Sequence, residues 1–201
     1  MTNSAKTGPS LREISREAVR GRITEVALDL FAEHGFEQVT VEQIAAAAGM
    51  SARSFHRYFP AKEDVVIGDP ARWGEYVRDT LADRPADEPV WDSLHASFEA
   101  LLALSPDRED SERGKLAMRV LGSTASLRAR NLEKHLLWAQ MLTPIIAGRL
   151  DGDDVALRAE IIVQAALAAF DVALTTWSTP QDYGTAVDLL HRAFATLTPV
   201  R

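Results

Sequence analysis

Between Thr40 and Lys62 the chain reads TVEQIAAAAGMSARSFHRYFPAK, a pattern of two helices joined by a tight turn. Val41, Ile44, Ala45 and Ala48 fall at i, i+3, i+4 and i+7, which makes one apolar stripe whose small alanines let a neighbouring helix lie close. Thr40 and Gln43 have the spacing of a capping box at the start of this helix, and Gly49 suits the left-handed conformation that ends it. Ser51 can then cap a second helix in which Ala52, Phe55 and Phe59 point inward, leaving Arg53, Ser54, His56, Arg57 and Tyr58 at the front and flanks. That outward set offers donors and no carboxylate. A short helix with such a face suits the major groove of DNA, where Arg holds guanine in a bidentate pair while Tyr, Ser and Lys grip phosphates. Lys62 falls in the first turn of a helix expected to open at Pro60; a cation there opposes the helix dipole, and a nearby phosphate would account for it. The other reading of this stretch is an amphipathic helix pair with a solvated polar face.

The surrounding run ITEVALDLFAEHGFEQVTVEQIAAAAGMSARSFHRYFPAKEDVV, from Ile23 to Val66, resembles the DNA-binding domain of TetR-type transcriptional regulators over more than forty residues without a gap. The matching features are Phe31, Gly35-Phe36, Thr40-Val41, Ile44-Ala45, Ala48-Gly49, Ser51, Tyr58-Phe59 and Lys62-Glu63. Thr40, Ser51, Arg53, Ser54, His56, Arg57, Tyr58 and Lys62 are therefore the candidate DNA contacts. His56 departs from the pattern, which usually has an aromatic residue there and a phosphate contact with it; imidazole can also donate a hydrogen bond.

Net charge is −7, which by itself argues against nucleic acid, but the charge is polarised along the chain. Residues 1–24 carry five Lys/Arg against two Glu, and 51–62 carry three against none, while 25–50 hold five acids and no base. An acidic back turned from DNA would leave the arm and the reading helix as a local positive face. The 201 residues suffice for a full core in one or two domains. With no cysteine there is neither a disulfide framework nor a thiolate metal site, and a cytoplasmic setting fits. The N-terminus lacks an apolar signal core, and no uncharged stretch approaches the roughly 20 residues of a membrane span.

In order along the chain, residues 1–10 are expected to be a mobile basic arm, with Lys6, Arg12, Arg16, Arg20 and Arg22 spaced for phosphates or an adjacent minor groove, or simply opening a charged helix. A first helix is predicted from about Ser15 to His34, stopped by Gly35, and a fourth near Pro60, interrupted at Gly68-Asp69-Pro70. The domain joint is placed there: residues 1–68 form a three-helix helix-turn-helix DNA-binding domain, and 69–201 a helical ligand-binding and dimerisation domain. After a helix holding Trp73, Tyr76, Val77 and Leu81, the pattern predicts helices over roughly 89–104, 109–122, 124–150, 153–177 and 182–197. The charged run Asp107 to Glu112 reads as a solvated loop, and Asp151-Gly-Asp-Asp as a helix cap rather than a calcium loop.

Two C-terminal segments bear on function. Ile161 to Phe170, IIVQAALAAF, is apolar on every side and must be covered on every side; its Ala165, Ala166, Ala168 and Ala169 can meet a partner subunit. Val187, Leu190, Phe194 and Leu197 offer a second seam, so that helices 153–177 and 182–197 of two chains would form a four-helix homodimer interface, as the TetR resemblance also implies. Arg113 to Lys134 carries six bases against Glu133 alone, within a domain that otherwise runs acidic. Beside it lie Phe98, Trp138 and Met141, and Pro144 is expected to kink the helix. An apolar cavity with basic residues at its mouth would take an amphipathic anion, with Phe98, Arg119, Arg128, His135, Trp138, Met141 and Asp171 as candidate ligand contacts. The run SLRARNLEKHLLWAQML, Ser126 to Leu142, is more loosely similar to the TetR branch described as acyl-CoA-like, which implies an acyl-CoA or fatty-acid-like small-molecule effector.

No enzyme emerges. His34, His56, His95, His135 and His191 read as scattered, without metal spacing, and there is no Gly-rich phosphate loop and no nucleophile elbow. No catalytic residue, cofactor or metal ligand is assigned. The sequence thus predicts an all-α, homodimeric, ligand-responsive regulator on double-stranded DNA, most simply a repressor. The competing reading is a helical acyl or lipid carrier that does not act on DNA.

Overall fold

The computed structural model describes residues 10–104, 112–181 and 183–197. The predicted arm up to Lys6 and the charged run from Asp107 lie largely outside the described residues. The chain divides into two compact units, Met1–Val66 and Ile67–Arg201. All regular structure among the described residues is helical.

In the first unit, α1 (Leu11–His34) starts four residues earlier than the apolar stripe alone indicates, with Ile14 N donating to Ser10 O at 3.0 Å. Gly35 ends it at φ +81°, a conformation that costs other residues strain. α2 (Val41–Ala47) carries the full capping box: Thr40 N donates to Gln43 Oε1 at 2.8 Å, and Gln43 N to Thr40 Oγ1 at 3.3 Å. Gly49 makes the turn at φ +72°, and Ser51 Oγ accepts from Ser54 N to open α3 (Ala52–Phe55). α3 is only one turn long. Phe59 reaches the core through the turns that follow, not through a continuing helix; Tyr58 N bonds Phe55 O at 2.8 Å. Ile23, Ala27, Phe31, Phe36, Ile44, Phe55 and Phe59 form the buried centre, with the Phe31 and Phe36 rings 4.9 Å apart. α4 (Asp64–Ile67) opens at Asp64, whose carboxylate accepts from Ala61 N at 3.0 Å. Lys62 therefore precedes the helix, and the dipole argument made from the sequence does not apply to it.

In the second unit, Gly68 (φ +83°) and the cap Asp69 lead into α5 (Pro70–Ala82) with Pro70 at its first turn, so the predicted interruption is a full break. α6 (Val90–Ala103), α7 (Glu112–Ser123), α8 (Ala125–Ala147, capped by Thr124), α9 (Val155–Trp177) and α10 (Ala186–Leu197) follow. Their core runs through Val77, Leu81, Leu94, Phe98, Trp138, Leu142, Ile146, Val163, Phe170 and Phe194. α5 approaches α8 closely at Gly74: a Cβ there would stand 2.8 Å from Trp138 Cδ1 and 2.9 Å from Met141 Sδ. Pro144 lies inside α8, which remains one helix to Ala147.

Three expectations are corrected. α9 is not covered all round: Leu157, Ile161 and Val172 are 60%, 58% and 60% exposed, on one face with exposed Ala168. The alanines expected at a partner are divided, since Ala166 and Ala169 fill the chain's own core. The α10 seam is largely spent internally, because Leu190 and Phe194 are buried and only Leu197 of its apolar set is open. Asp154 stands at the N-cap of α9, as the sequence suggests, in a left-handed conformation (φ +56°) and without a side-chain cap hydrogen bond.

Candidate nucleic-acid interface and effector region

The reading surface is built on the short α3. Burying Phe55 and Phe59 turns Arg53, His56 and Arg57 out to solvent, with Ser51 and Thr40 exposed beside them and Ser54 and Tyr58 half-buried. The Ser51 and Ser54 hydroxyls are tied to the cap, 3.1 Å apart. His56 Nδ1 lies 3.2 Å from Pro60 O. A carbonyl only accepts, so Nδ1 carries the proton there, and in the neutral ring Nε2 faces outward as an acceptor. The donor proposed for His56 from sequence is thus already used within the chain.

Several cations picked out for phosphates are engaged internally. Lys62 Nζ donates to Phe36 O at 2.7 Å and Val39 O at 2.8 Å, and lies 4.2 Å from the centre of the Phe36 ring. Arg20 donates to Tyr58 O with its guanidinium 4.2 Å over the Phe59 ring, and Arg16 reaches Arg57 O at 3.4 Å. Arg22 pairs with Glu25 at 3.0 Å. Lys62, Arg20 and Arg16 satisfy carbonyls that helix ends and turns leave open, and so hold the loops around α3 in shape.

In the second unit the predicted ligand residues separate into groups. Phe98 and Trp138 are buried in an aromatic stack with Phe170, at 4.7 Å for Phe98–Phe170, and Trp138 Nε1 donates to Pro70 O at 2.8 Å. Met141 packs where Gly74 makes room. Arg119 and Arg128 are exposed and donate to the carbonyls of Ser178 and Gly122, at 3.1 and 2.9 Å, so both guanidiniums are engaged within the chain. His135 and Asp171 do meet. Asn131, Lys134 and His135 occupy one face of α8 opposite Asp171 on α9: Asn131 Nδ2 donates to Asp171 Oδ1 at 2.9 Å, and His135 Nε2 stands 3.5 Å from the same oxygen. Asn131 Oδ1 and His135 Nε2 are nonetheless buried without hydrogen-bond partners. Burial lowers the Lys134 ammonium to about 8, opposed by Asp171, while its stem carries Nζ to 5.2 Å from the Trp138 ring. Burial and then the Lys134 charge hold His135 well below its ordinary value.

The helix pair α2–α3, with its inward phenylalanines and donor-lined outer face, has the form of a helix-turn-helix, and comparison with known proteins agrees. Residues 23–67 match the family model of bacterial regulatory proteins of the tetR family, and residues 88–201 match that of the MftR C-terminal domain. The chain belongs to the TetR family of transcriptional regulators. The regulator is 33% identical to the HTH-type transcriptional regulator TcmR of Streptomyces glaucescens over 159 residues, 76% of this chain and 70% of that protein. Among solved structures it is similar to Thermus thermophilus FadR in complex with lauroyl-CoA, at TM-score 0.52 and 23% identity over 90% of this chain and 96% of that one. It is also similar to SmeT bound to triclosan, at TM-score 0.58 and 17% identity over 89% and 91%. Those two likenesses carry the fold alone. TetR regulators bind DNA operators and small-molecule effectors, typically as homodimers. No helix among the described residues is long and apolar enough to cross a membrane.

Sequence reasoning named His135 and Asp171 but passed over Asn131 and counted Lys134 only as one base in the run from Arg113, not as a ligand contact. The available signal was the i, i+3, i+4 spacing of Asn131, Lys134 and His135, which puts three polar side chains on one helical face beside Trp138.

Proposed function

We propose that the regulator is a homodimeric, cytoplasmic repressor released from a near-palindromic operator by a hydrophobic or amphipathic anionic ligand of fatty-acid or acyl-CoA type. Thr40, Ser51, Arg53, Ser54, His56, Arg57 and Tyr58 face the major groove, Arg53 and Arg57 reading bases or phosphates from exposed positions. Two readers about 34 Å apart then meet successive turns of the operator. The chains join through the exposed ridge of α9, with Leu197 of α10 at its margin.

The observation that carries the ligand class is the polar cluster between α8 and α9. A cation whose charge is disfavoured by burial, beside the buried His135 Nε2, which donates in its Nε2–H tautomer, suits a carboxylate or phosphate group, and the neighbouring Trp138, Phe98 and Met141 suit an apolar tail. Because Phe98 and Trp138 are packed against Phe170, the tail must displace packed aromatic rings to enter. That displacement supplies the differential interaction with two conformations on which release from DNA depends, a coupling of about 1–3 kcal/mol.

The test is electrophoretic mobility shift of the DNA upstream of the protein's own gene, with and without long-chain acyl-CoA, over a salt series. A sequence-specific shift abolished by the ligand supports both halves. A specific shift indifferent to acyl-CoA and free fatty acid rejects the ligand class. Absence of any specific shift, there or against a random-sequence pool, supports the carrier reading instead.

A further inference from the structure

The histidines that look scattered in sequence include two that the fold brings together. His95 and Glu99 lie four residues apart on α6, on one helical face, and His191 meets them from α10. One ligand-capable atom from each of the three lies within 4.8 Å of the others. His191 Nε2 is 3.5 Å from Glu99 Oε1, and the His95 and His191 rings are centred 4.7 Å apart. His95 Nε2 is buried with no hydrogen-bond partner. Two imidazoles packed this closely, one with an unsatisfied buried nitrogen, form a poor arrangement unless something binds between them.

The geometry points to a divalent transition-metal site formed by His95, Glu99 and His191, best matched to Zn2+, that staples α6 to α10. Two imidazole nitrogens and one carboxylate oxygen are donors that zinc takes readily, leaving a further position for water or another ligand. Metal–ligand bonds of about 2.0–2.2 Å give a tetrahedral edge of roughly 3.4 Å. The His191–Glu99 separation already has that length, and small rotations of His95 and His191 close the remainder. The surroundings favour a cation. Asp92, one turn before His95 on α6, and Asp188, one turn before His191 on α10, both act on these histidines through their charge. Asp188 is itself held by Thr185 N and Oγ1, so it serves as field and not as ligand, while the guanidinium of Arg192 is directed to Tyr183 O. A plain His191–Glu99 ion pair would explain two of the side chains and leave His95 Nε2 unsatisfied; a bound ion accounts for all three. The inference is independent of the operator and of the acyl ligand.

Full-length protein without an affinity tag, stripped with chelator, is titrated with ZnCl2 by calorimetry and with Co2+ by visible absorption. One ion per chain is expected, with d–d bands of low-symmetry Co2+ that Zn2+ displaces. Because the His95 ring packs 5.1 Å from Phe194, the variants are made at the more exposed positions, Glu99→Gln and His191→Gln. Each is expected to weaken binding by at least about tenfold, whereas His34→Gln leaves it unchanged. In the wild-type protein, Zn2+ is expected to shift the ring resonances of His95 and His191 and not those of His34, His56 or His135. No uptake of either metal, binding unaltered in both variants, or shifts confined to other histidines would overturn the site.

Discussion

Replacing Lys62 with methionine separates a residue that holds the fold from one that holds DNA. The ammonium makes two charge-assisted bonds to backbone carbonyls, at 2.7 and 2.8 Å, and a ring contact at 4.2 Å. A hydrogen bond to a charged group contributes about 1.5–3 kcal/mol, but this site is half-buried and water can take over part of the carbonyls' demand, so about 1 kcal/mol each is a fair net value. The cation–π contact adds about 0.5–1 kcal/mol. Lys62→Met keeps the stem over Phe36 and should destabilise the N-terminal unit by about 2–3 kcal/mol. In a domain this small, that shifts melting by roughly 10 °C or more. Urea unfolding of the full-length protein, followed by amide exchange at Phe36 to Tyr58, reads the loss without DNA present. Operator affinity should weaken in step with the unfolded fraction, with the salt slope unchanged. A phosphate-gripping lysine gives the opposite result, unaltered stability and a salt slope reduced by about 1 per contact. That outcome would refute the carbonyl latch.

Arg53→Ala and Arg57→Ala remove exposed donors, so each that reads a base should cost about 1–3 kcal/mol of operator binding in titrations, with protein stability kept; unchanged binding in both removes α3 as the reader. Gly74→Ala drives a methyl to 2.8 Å from Trp138 Cδ1 and should destabilise the C-terminal unit by about 1–3 kcal/mol in denaturant; an unchanged midpoint would show that α5 and α8 separate freely. Lys134 titrates near 8 in the fold against an ordinary 10.5, so between those values the unfolded chain binds more protons and stability rises with pH. The whole penalty, about 3 kcal/mol, applies below that window, so Lys134→Met should stabilise the protein at neutral pH and abolish the alkaline rise in urea midpoints. Ile161→Lys on the exposed ridge of α9 should give monomers in sedimentation velocity; an intact dimer would move the interface elsewhere.

The helix pair was legible because its signals are local. Capping box, turn glycine and apolar stripe all lie within a few residues of one another, and each fixes a conformation without reference to the remainder of the chain. What sequence could not settle was the use of each side chain across space. Lys62 and Arg20 look like phosphate ligands until the carbonyls of Phe36, Val39 and Tyr58 are brought beneath them. The apolar α9 looked covered all round because composition does not tell which face meets its own chain; the structure leaves Leu157, Ile161 and Val172 open. Arg119 and Arg128 look like anion ligands in a dense basic run until their guanidiniums are found on the carbonyls of Ser178 and Gly122. His95 and His191 are ninety-six positions apart and touch only once α6 and α10 pack.

The same distinction sets a number for DNA binding. Eight cations in the first 62 residues qualify by type: Lys6, Arg12, Arg16, Arg20, Arg22, Arg53, Arg57 and Lys62. If all neutralised phosphates in both chains of a dimer, log K against log salt would fall with a slope of about −14. Arg16, Arg20, Arg22 and Lys62 are engaged within the chain, which halves the set. Four cations per chain give about −7 on the same counting, the upper limit if Arg53 and Arg57 both face phosphates rather than bases. A measured slope at or below −7 in magnitude, insensitive to Lys62→Met, fits a reader whose basic residues divide between holding its shape and meeting DNA. A slope near −14 would mean that the internal bonds open on the operator and that the arginines and lysine exchange carbonyls for phosphates as they bind.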